Sequence, residues 1–141
     1  MEDDPNDQVF ISRAFKRTCP NTRVQTVNDG EEAIDYLEGR AEFAHRSSNP
    51  LPRLIITDLK MPRMGGLDLL SWLQSGREFR HIPAIVLTSS NDQADITAAF
   101  NNGARGYMIK AVQFGDLEKL VRSIDDYWRA SCVPSPRAVV A

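Results

Sequence analysis

Three side chains suited to handling a phosphoryl group each come directly after a short apolar run. They are the carboxylate of Asp58, the hydroxyl of Thr88 and the ammonium of Lys110. If these runs are strands of one parallel sheet, their carboxyl ends share an edge, and open α/β sheets bind ligands in the crevice at that edge. The three groups would then form a single site. Their chemistry is that of an aspartate that accepts a phosphoryl group, with the hydroxyl and the ammonium there to hold it.

The chain begins with an acidic run that could complete such a site. Glu2, Asp3 and Asp4 supply carboxylates, and a hard divalent cation prefers oxygen ligands. Taken alone, this run is equally well explained as a solvated terminus, just as Asp58 alone could be a strand end or a helix cap. The joint occurrence of the three polar groups after apolar runs favours the phosphoryl site.

Size and composition indicate one domain. The chain has 141 residues and a formal net charge of −2, with a pI near 5.7. That length is enough for one hydrophobic core, and the charge provides no basic surface for nucleic acid. No apolar stretch approaches the roughly 18 to 20 residues of a membrane span, so we expect a cytoplasmic protein with no membrane partner. Cys19 and Cys132 are far apart without metal-type spacing, which predicts two reduced thiols.

Helical and extended patterns alternate along the chain, which predicts an α/β fold: a doubly wound parallel sheet with helices on both faces. The predicted helices cover residues 6–18, 31–38, 67–73, 91–102 and 117–128, and the predicted strands cover residues 23–27, 54–58, 82–88 and 106–110. Ser90 or Asn91 is expected to cap the fourth helix. The polar residues 40–52 predict a surface loop with an extra helical turn. We assign residues 1–131 to the domain and expect residues 132–141 to be a flexible tail.

Four segments resemble the response-regulator receiver domain in their order and spacing. They are residues 2–5, 58–66, 88–89 and 106–110, and the likeness spans nearly the whole chain. The long loop before Leu54, the run 88–91 and the closing residues 123–128 most resemble the small regulators paired with bacterial phytochrome kinases. The resemblance implies a flavodoxin-like fold with strand order 2-1-3-4-5. It also implies a sensor histidine kinase, of phytochrome type, as partner.

The resemblance implies a role for each residue of the phosphoryl site. Asp58 would accept the phosphoryl group from a phosphohistidine of the kinase, and Thr88 and Lys110 would bind it there. Tyr107 would swing inward as the Thr88 hydroxyl moves to the phosphoryl group. Phosphoryl transfer needs mainly positioning and charge neutralisation, and this set of residues supplies both.

Mg²⁺ is the cofactor that the resemblance implies. Asp3 and Asp58 would ligate the ion directly, together with the main-chain carbonyl of Lys60, and Glu2 would hold a metal-bound water. Because Mg²⁺ keeps several of its waters, few protein ligands suffice.

Three departures from the family pattern carry expectations of their own. Gly65 replaces a common acidic residue, which leaves the chemistry intact. Ala111 replaces a proline that makes a cis bond with the lysine, and since a cis bond without proline costs about 2.5 to 4 kcal/mol, we expect the Lys110–Ala111 bond to be trans. Only Met1 precedes Glu2, so the usual central strand cannot form there. We expect a start further upstream or another segment in the gap, with mobile acidic residues and weak Mg²⁺ binding in the sequence as it stands.

Two functions of different class stay open. The first is a stand-alone, non-enzymatic phosphorylation switch whose changed surface, residues 96–107 and the last helix, is read by a partner or by a second copy. A homodimer would use the last strand and the last helix, which carries an apolar stripe. The second is a pseudo-receiver, an interaction module that keeps the fold without being phosphorylated. A Mg²⁺-dependent phosphatase is disfavoured, because Lys60 stands where a second acid would follow Asp58.

Overall fold

Helices and strands alternate along the chain as the sequence patterns predict. The computed structural model describes residues 1–111, 113–131 and 138–140, and from residue 128 onward it describes the backbone alone. The helices are α1 Pro5–Thr18, α2 Gly30–Glu38, α3 Gly66–Ser75, α4 Gln93–Asn101 and α5 Phe114–Ser131, and a 3₁₀ turn, Ala41–Phe43, lies in the long loop. The strands are β1 Arg23–Gln25, β2 Pro52–Thr57, β3 Ala84–Thr88, β4 Gly106–Ile109 and β5 Ala138–Val140. Within these residues, no helix is long and apolar enough to cross a membrane.

The five strands form one parallel sheet in the order β1-β5-β2-β3-β4. β2 and β3 lie inside the sheet, and their residues are almost all buried because helices cover both faces. Successive residues of β2 belong to opposite faces: Ile55 joins one apolar cluster, whereas Leu54 and Ile56 join the other. The doubly wound α/β fold predicted from the sequence is confirmed.

The two apolar clusters divide the helices between the faces of the sheet. α1 and α5 pack together on one face, where Phe15 and Val121 are buried. α2, α3 and α4 cover the other face with residues such as Leu37, Leu70 and Ala99. Because both clusters pack against the middle strands, apolar contacts on the two faces of the sheet fix the position of the strand ends that carry the polar groups.

Aspartates begin the helices on either side of the site. Asp4 caps α1, and Asp92 caps α4 by accepting a hydrogen bond from Ala94 N at 2.9 Å. The predicted cap of α4 at Ser90 or Asn91 is therefore wrong. The loop after β3 runs one residue further before it turns into the helix, and an aspartate at that point also suits the positive end of the helix dipole.

The gap expected in the middle of the sheet is filled by β5. Val139 pairs with Val24 on one side and with Leu54 on the other, and Val140 pairs with Gln25 and Ile55. The expectation of a flexible tail at 132–141 is therefore wrong for residues 138–140, while residues 132–137 and 141 lie outside the described residues. The physical reason is that β1 and β2 present facing rows of backbone donors and acceptors that need partners, and an Ala-Val-Val segment has high strand propensity.

Met1 and Glu2 continue along the same line of the sheet beyond β5. The amide of Asp58 donates to Met1 O at 3.1 Å, and the Met1 nitrogen donates to Ile56 O at 2.5 Å. Glu2 N donates to Val27 O at 3.2 Å. The expectation of a mobile Glu2 is therefore wrong, because these bonds fasten its backbone between the ends of two strands.

Candidate functional site

The predicted triad of polar groups comes together at the carboxyl edge of the sheet. Asp58 follows β2, Thr88 ends β3 and Lys110 follows β4. The Lys110 ammonium lies 2.7 Å from Asp58 Oδ2, and the Thr88 hydroxyl also bonds the Asp58 carboxylate. The main-chain N–H of Lys110 donates to Thr88 O at 2.8 Å, which continues the pairing of β3 with β4 past the end of the strands.

Asp58 is held as a buried, ionised carboxylate. The residue is only 7% exposed. Its Oδ1 accepts hydrogen bonds from the main-chain N–H groups of Leu59 at 2.6 Å and Lys60 at 3.3 Å. Burial by itself would raise the pKa of Asp58, but the hydrogen bonds from Lys110 and Thr88, with the positive charge of Lys110, lower that pKa below its ordinary value. The carboxylate therefore keeps its negative charge at neutral pH.

Lys110 is shared by three carboxylates. Its Nζ lies 2.5 Å from Glu2 Oε2, 2.8 Å from Asp7 Oδ2 and 2.7 Å from Asp58 Oδ2. Burial alone would lower the pKa of Lys110, but the hydrogen bonds to the three acids outweigh burial and raise the pKa above its ordinary value. Asp7 was not predicted as a site residue. It lies in the first turn of α1, and no sequence pattern marks its contact with Lys110, which depends on how that helix is placed.

Glu2 is deeply buried at 2% exposure. Its Oε1 accepts a hydrogen bond from Asp4 N at 3.1 Å, while Oε2 bonds Lys110. Burial raises the pKa of Glu2, and the bond to Lys110 only partly offsets that rise. Three carboxylates, of Glu2, Asp7 and Asp58, share one ammonium in this cluster, so acidic side chains outnumber the basic one. That surplus and the oxygen donors suit a divalent cation such as Mg²⁺.

The predicted metal ligands are only partly brought together. Glu2 and Asp58 meet at Lys110, whereas the side chain of Asp3 is exposed. Lys60 adjoins the site through its main chain, and its side chain is exposed. Within the described part of the chain, no three acidic, histidine or cysteine side chains are grouped as a metal site. Asp3 would have to turn toward Asp58 before it could ligate the same ion.

Tyr107 connects the site to α4. Its hydroxyl donates to the carbonyl oxygen of Ser90 at 2.9 Å, and its ring packs against the cluster beneath α4. Burial raises the pKa of the Tyr107 phenol. The Ser90 hydroxyl donates to Asp95 Oδ2 at 2.5 Å, and the Ser90 N–H lies 3.5 Å from the Thr88 hydroxyl oxygen. Ser90 therefore joins Thr88, Tyr107 and α4, a role that its expected function as a cap did not predict.

Close backbone packing shapes the loop after Asp58. A Cβ on Gly66 would lie 2.1 Å from Asp58 O, so that position requires glycine. Gly66 N donates to Leu59 O at 3.0 Å and closes the loop. On the other side of the site, no peptide bond is cis in the part of the chain described here, so the Lys110–Ala111 bond is trans as predicted. Val112, the next residue, lies outside the described residues.

Comparison with known families agrees with this geometry. A family profile described as the response regulator receiver domain matches residues 1–122. The chain belongs to the response-regulator receiver family. Its doubly wound α/β fold is that of a receiver domain.

Similar proteins include regulators named for phytochrome signalling. The phosphorylated cyanobacterial phytochrome response regulator RcpA is similar in structure, with a TM-score of 0.84 and 29% identity over 96% of this chain and 95% of that one. The Mn²⁺-bound response regulator Rcp1 has a TM-score of 0.81 and 26% identity over 96% of each chain. In sequence, the probable methanogenesis regulatory protein FilR2 of Methanothrix harundinacea is 34% identical over 91% of this chain and 80% of its own length.

Proposed function

We propose that this protein is a single-domain response regulator that accepts a phosphoryl group on Asp58 from a sensor histidine kinase. The observation that carries the proposal is the ionised, buried carboxylate of Asp58 with Lys110 and Thr88 both bonded to it. In the transfer, an Asp58 oxygen attacks the phosphorus of the phosphohistidine, the P–N bond breaks and the imidazole leaves with the bonding electrons. Lys110 neutralises charge on the phosphoryl oxygens, and the Thr88 hydroxyl donates a hydrogen bond to them.

We propose Mg²⁺ as the cofactor. Asp3, Asp58 and the main-chain carbonyl of Lys60 would hold the ion, with Glu2 binding one of its waters. The surplus of carboxylates around Lys110 supports this assignment, as does the Mn²⁺-bound state of the related Rcp1. When bound, the cation neutralises negative charge on the phosphoryl group. Because the side chain of Asp3 is exposed, we expect Mg²⁺ to bind weakly when no phosphoryl group is present.

The signal would leave the site through Ser90. When the Thr88 hydroxyl turns to the phosphoryl group, its contact with Ser90 N is lost, and the hydrogen bonds of Ser90 to Tyr107 and Asp95 pass the displacement to β4 and α4. The altered surface would comprise residues 96–107, with α5 beside it. We propose that a downstream partner or a second copy reads this surface, and that the protein acts as a cytoplasmic signalling module rather than as an enzyme.

The kinase partner would contact α1 beside the site. Val9 and Phe10 are large apolar residues about half exposed on this helix. Phe10 also lines, together with Asp7 and Lys110, a cavity of about 50 Å³ next to the site. An apolar patch adjoining an acceptor carboxylate suits a protein donor, because a small phosphodonor needs no such contact. A phytochrome-type kinase is the proposed donor, on the similarity to RcpA.

A homodimer through β4 and α5 is part of the proposal. Ile109 and Tyr127 are large exposed side chains on these elements. Light scattering at high concentration, with and without beryllofluoride, should show a dimer in at least the beryllofluoride state. Ile109→Arg should shift it toward monomer, and Leu51→Arg, on an exposed apolar residue just before β2, should leave it unchanged. Monomer under all conditions would rule the dimer out.

A pseudo-receiver is the second candidate, and one observation favours it. Lys110 already neutralises part of the acidic cluster internally, so the fold can persist with Asp58 unmodified. Intact-mass measurement after incubation with Mg²⁺ and acetyl phosphate separates the two candidates. A response regulator should gain one phosphate, and Asp58→Asn should gain none. No added phosphate from acetyl phosphate or from a cognate kinase would favour the pseudo-receiver, and labelling of Asp58→Asn would refute the acceptor assignment.

A further inference from the structure

A buried carboxylate joins the start of α2 to the loop that follows Asp58. Asp29 is almost fully buried and uses its two oxygens for different partners. Oδ1 accepts a hydrogen bond from Glu32 N at 2.9 Å and so caps α2. Oδ2 accepts from Arg63 Nε at 2.7 Å and also from a terminal nitrogen of the same guanidinium. The Arg63 side chain is 61% exposed, and its Nη1 lies 3.4 Å from Glu31 Oε2, so the guanidinium contacts two acids at the start of α2.

Arg63 makes the bridge from an unfavourable backbone conformation. Its φ is +58°, in the left-handed region that favours glycine or asparagine. Next to it, Gly30 N donates to Met64 O at 3.0 Å, and a Cβ on Gly30 would lie 2.5 Å from Met64 Cγ. An arginine kept in a strained conformation, with its guanidinium on a buried carboxylate, indicates that the contact compensates for the strain.

The bridged loop carries the groups on which the site depends. Residues 59–65 begin with the Leu59 and Lys60 amides that bond Asp58 Oδ1. The Gly66 to Leu59 hydrogen bond closes the loop at its base, and the Asp29 contact fastens it at Arg63. We propose that the Arg63–Asp29 bridge is a positioning device that holds this loop in the shape needed for cation binding beside Asp58. The inference rests on the proposed function, since it assigns Arg63 and Asp29 to that same site.

Arg63→Asn is the sharpest test because asparagine tolerates a positive φ and replaces the charged guanidinium with a short, neutral amide. Taking a positive charge away from the neighbourhood of an acidic site strengthens cation binding by electrostatics. Weaker binding would therefore have to come from lost positioning. We expect calorimetric titration with MgCl₂ alone to show about tenfold weaker binding. Amide hydrogen exchange over residues 59–64, measured without Mg²⁺, should be about tenfold faster.

Arg80→Asn is the matched control, with the same substitution and charge change in an exposed loop after α3. It should leave loop exchange unchanged and should not weaken Mg²⁺ binding. If Arg63→Asn fails to fold, Arg63→Lys takes its place, because lysine keeps the charge but cannot reproduce the paired guanidinium contact. Mg²⁺ binding as tight as wild type together with unchanged loop exchange would overturn the inference.

The two proposals can fail separately. If the wild-type protein binds no Mg²⁺, the proposed metal site fails, and the exchange measurement decides the bridge by itself. Faster exchange in Arg63→Asn would then still support a bridge that holds the loop, and unchanged exchange would refute it. If wild-type binding is intact and only the variant is impaired in both measurements, both proposals stand.

Discussion

Replacing Lys110 with alanine should destabilise the folded protein strongly. The change removes the ammonium that lies 2.5 to 2.8 Å from the carboxylates of Glu2, Asp7 and Asp58. The Lys110 side chain is 19% exposed, so water replaces little of the lost attraction. Removing one partner of a buried ion pair costs about 3 to 5 kcal/mol. Because Asp7 is partly exposed and Glu2 can take up a proton, we expect a loss of about 2 to 4 kcal/mol.

The loss should depend on pH with a definite sign. Burial already raises the pKa of Glu2, and without Lys110 the pKa values of Glu2 and Asp58 in the folded state should both rise. Between a pH of about 4 and the raised folded-state pKa, these two carboxyl groups keep their protons in the folded variant but lose them in the unfolded chain. Stability of the variant therefore falls as pH rises from that value through the raised folded-state pKa. The deficit relative to wild type should be small at pH 5 and larger at pH 8.

Urea unfolding followed by tryptophan fluorescence, at several pH values and without Mg²⁺, measures this deficit. A loss of about 2 to 4 kcal/mol would also lower the Tm by about 5 to 15 °C for a chain of this length. Lys119→Ala is the control, since that side chain is 82% exposed and its bridge to Asp116 is a surface pair; it should cost less than about 0.5 kcal/mol. A loss below about 1 kcal/mol at pH 8, or one independent of pH, would refute the shared-ammonium argument.

Three further predictions follow from the contacts around the site and in the sheet. Tyr107→Phe loses the hydrogen bond to Ser90 and should lower the free energy of unfolding by about 1 kcal/mol. It should also reduce the change in tryptophan fluorescence on adding beryllofluoride. An unchanged fluorescence response would contradict the proposed relay. Phe10→Ala should slow phosphorylation by the kinase but not by acetyl phosphate. Leu51→Ala, the control at another exposed apolar residue, should slow neither reaction. Equal effects of the two variants on the kinase reaction would contradict a docking role for Phe10. Val139→Pro removes an N–H inside the sheet and should cost about 2 kcal/mol in urea unfolding; wild-type stability would contradict a central role for β5.

The centre of the site could be predicted because its residues follow strands that are apolar on both faces. A short buried run is visible in the sequence, and in a parallel sheet its end must lie beside the ends of its neighbours. Asp58, Thr88 and Lys110 are therefore recognisable from the order of amino acids alone. Asp7 and Ser90 are not, because their contacts depend on how α1 is tilted and how the loop after β3 turns. The spacing of apolar residues in the sequence predicts neither the tilt of the helix nor the path of the loop.

The sequence predicts that the middle of the sheet lacks a strand and needs another segment there, but it does not predict which segment. β5 has three described residues, too few to show a period, and it pairs with strands far away in the sequence. What selects it is the unmet hydrogen bonding of β1 and β2, which is a property of the assembled sheet. The exposed position of Asp3 could not be predicted either, because the sequence of the acidic run does not show which of its carboxylates faces the site.

The position of β5 has a consequence for the order in which the molecule folds. Arg23 and its partner Ala138 are separated by almost the whole chain, so the contact that completes the sheet has one of the largest loop-closure costs in the molecule. During synthesis, β1 and β2 cannot be joined until residues 138–140 have left the ribosome, and the half-made protein carries two open strand edges in its interior. Such edges are where nascent chains aggregate or recruit chaperones. The step that seats β5 is thus expected to set the rate at which newly made protein becomes competent for signalling.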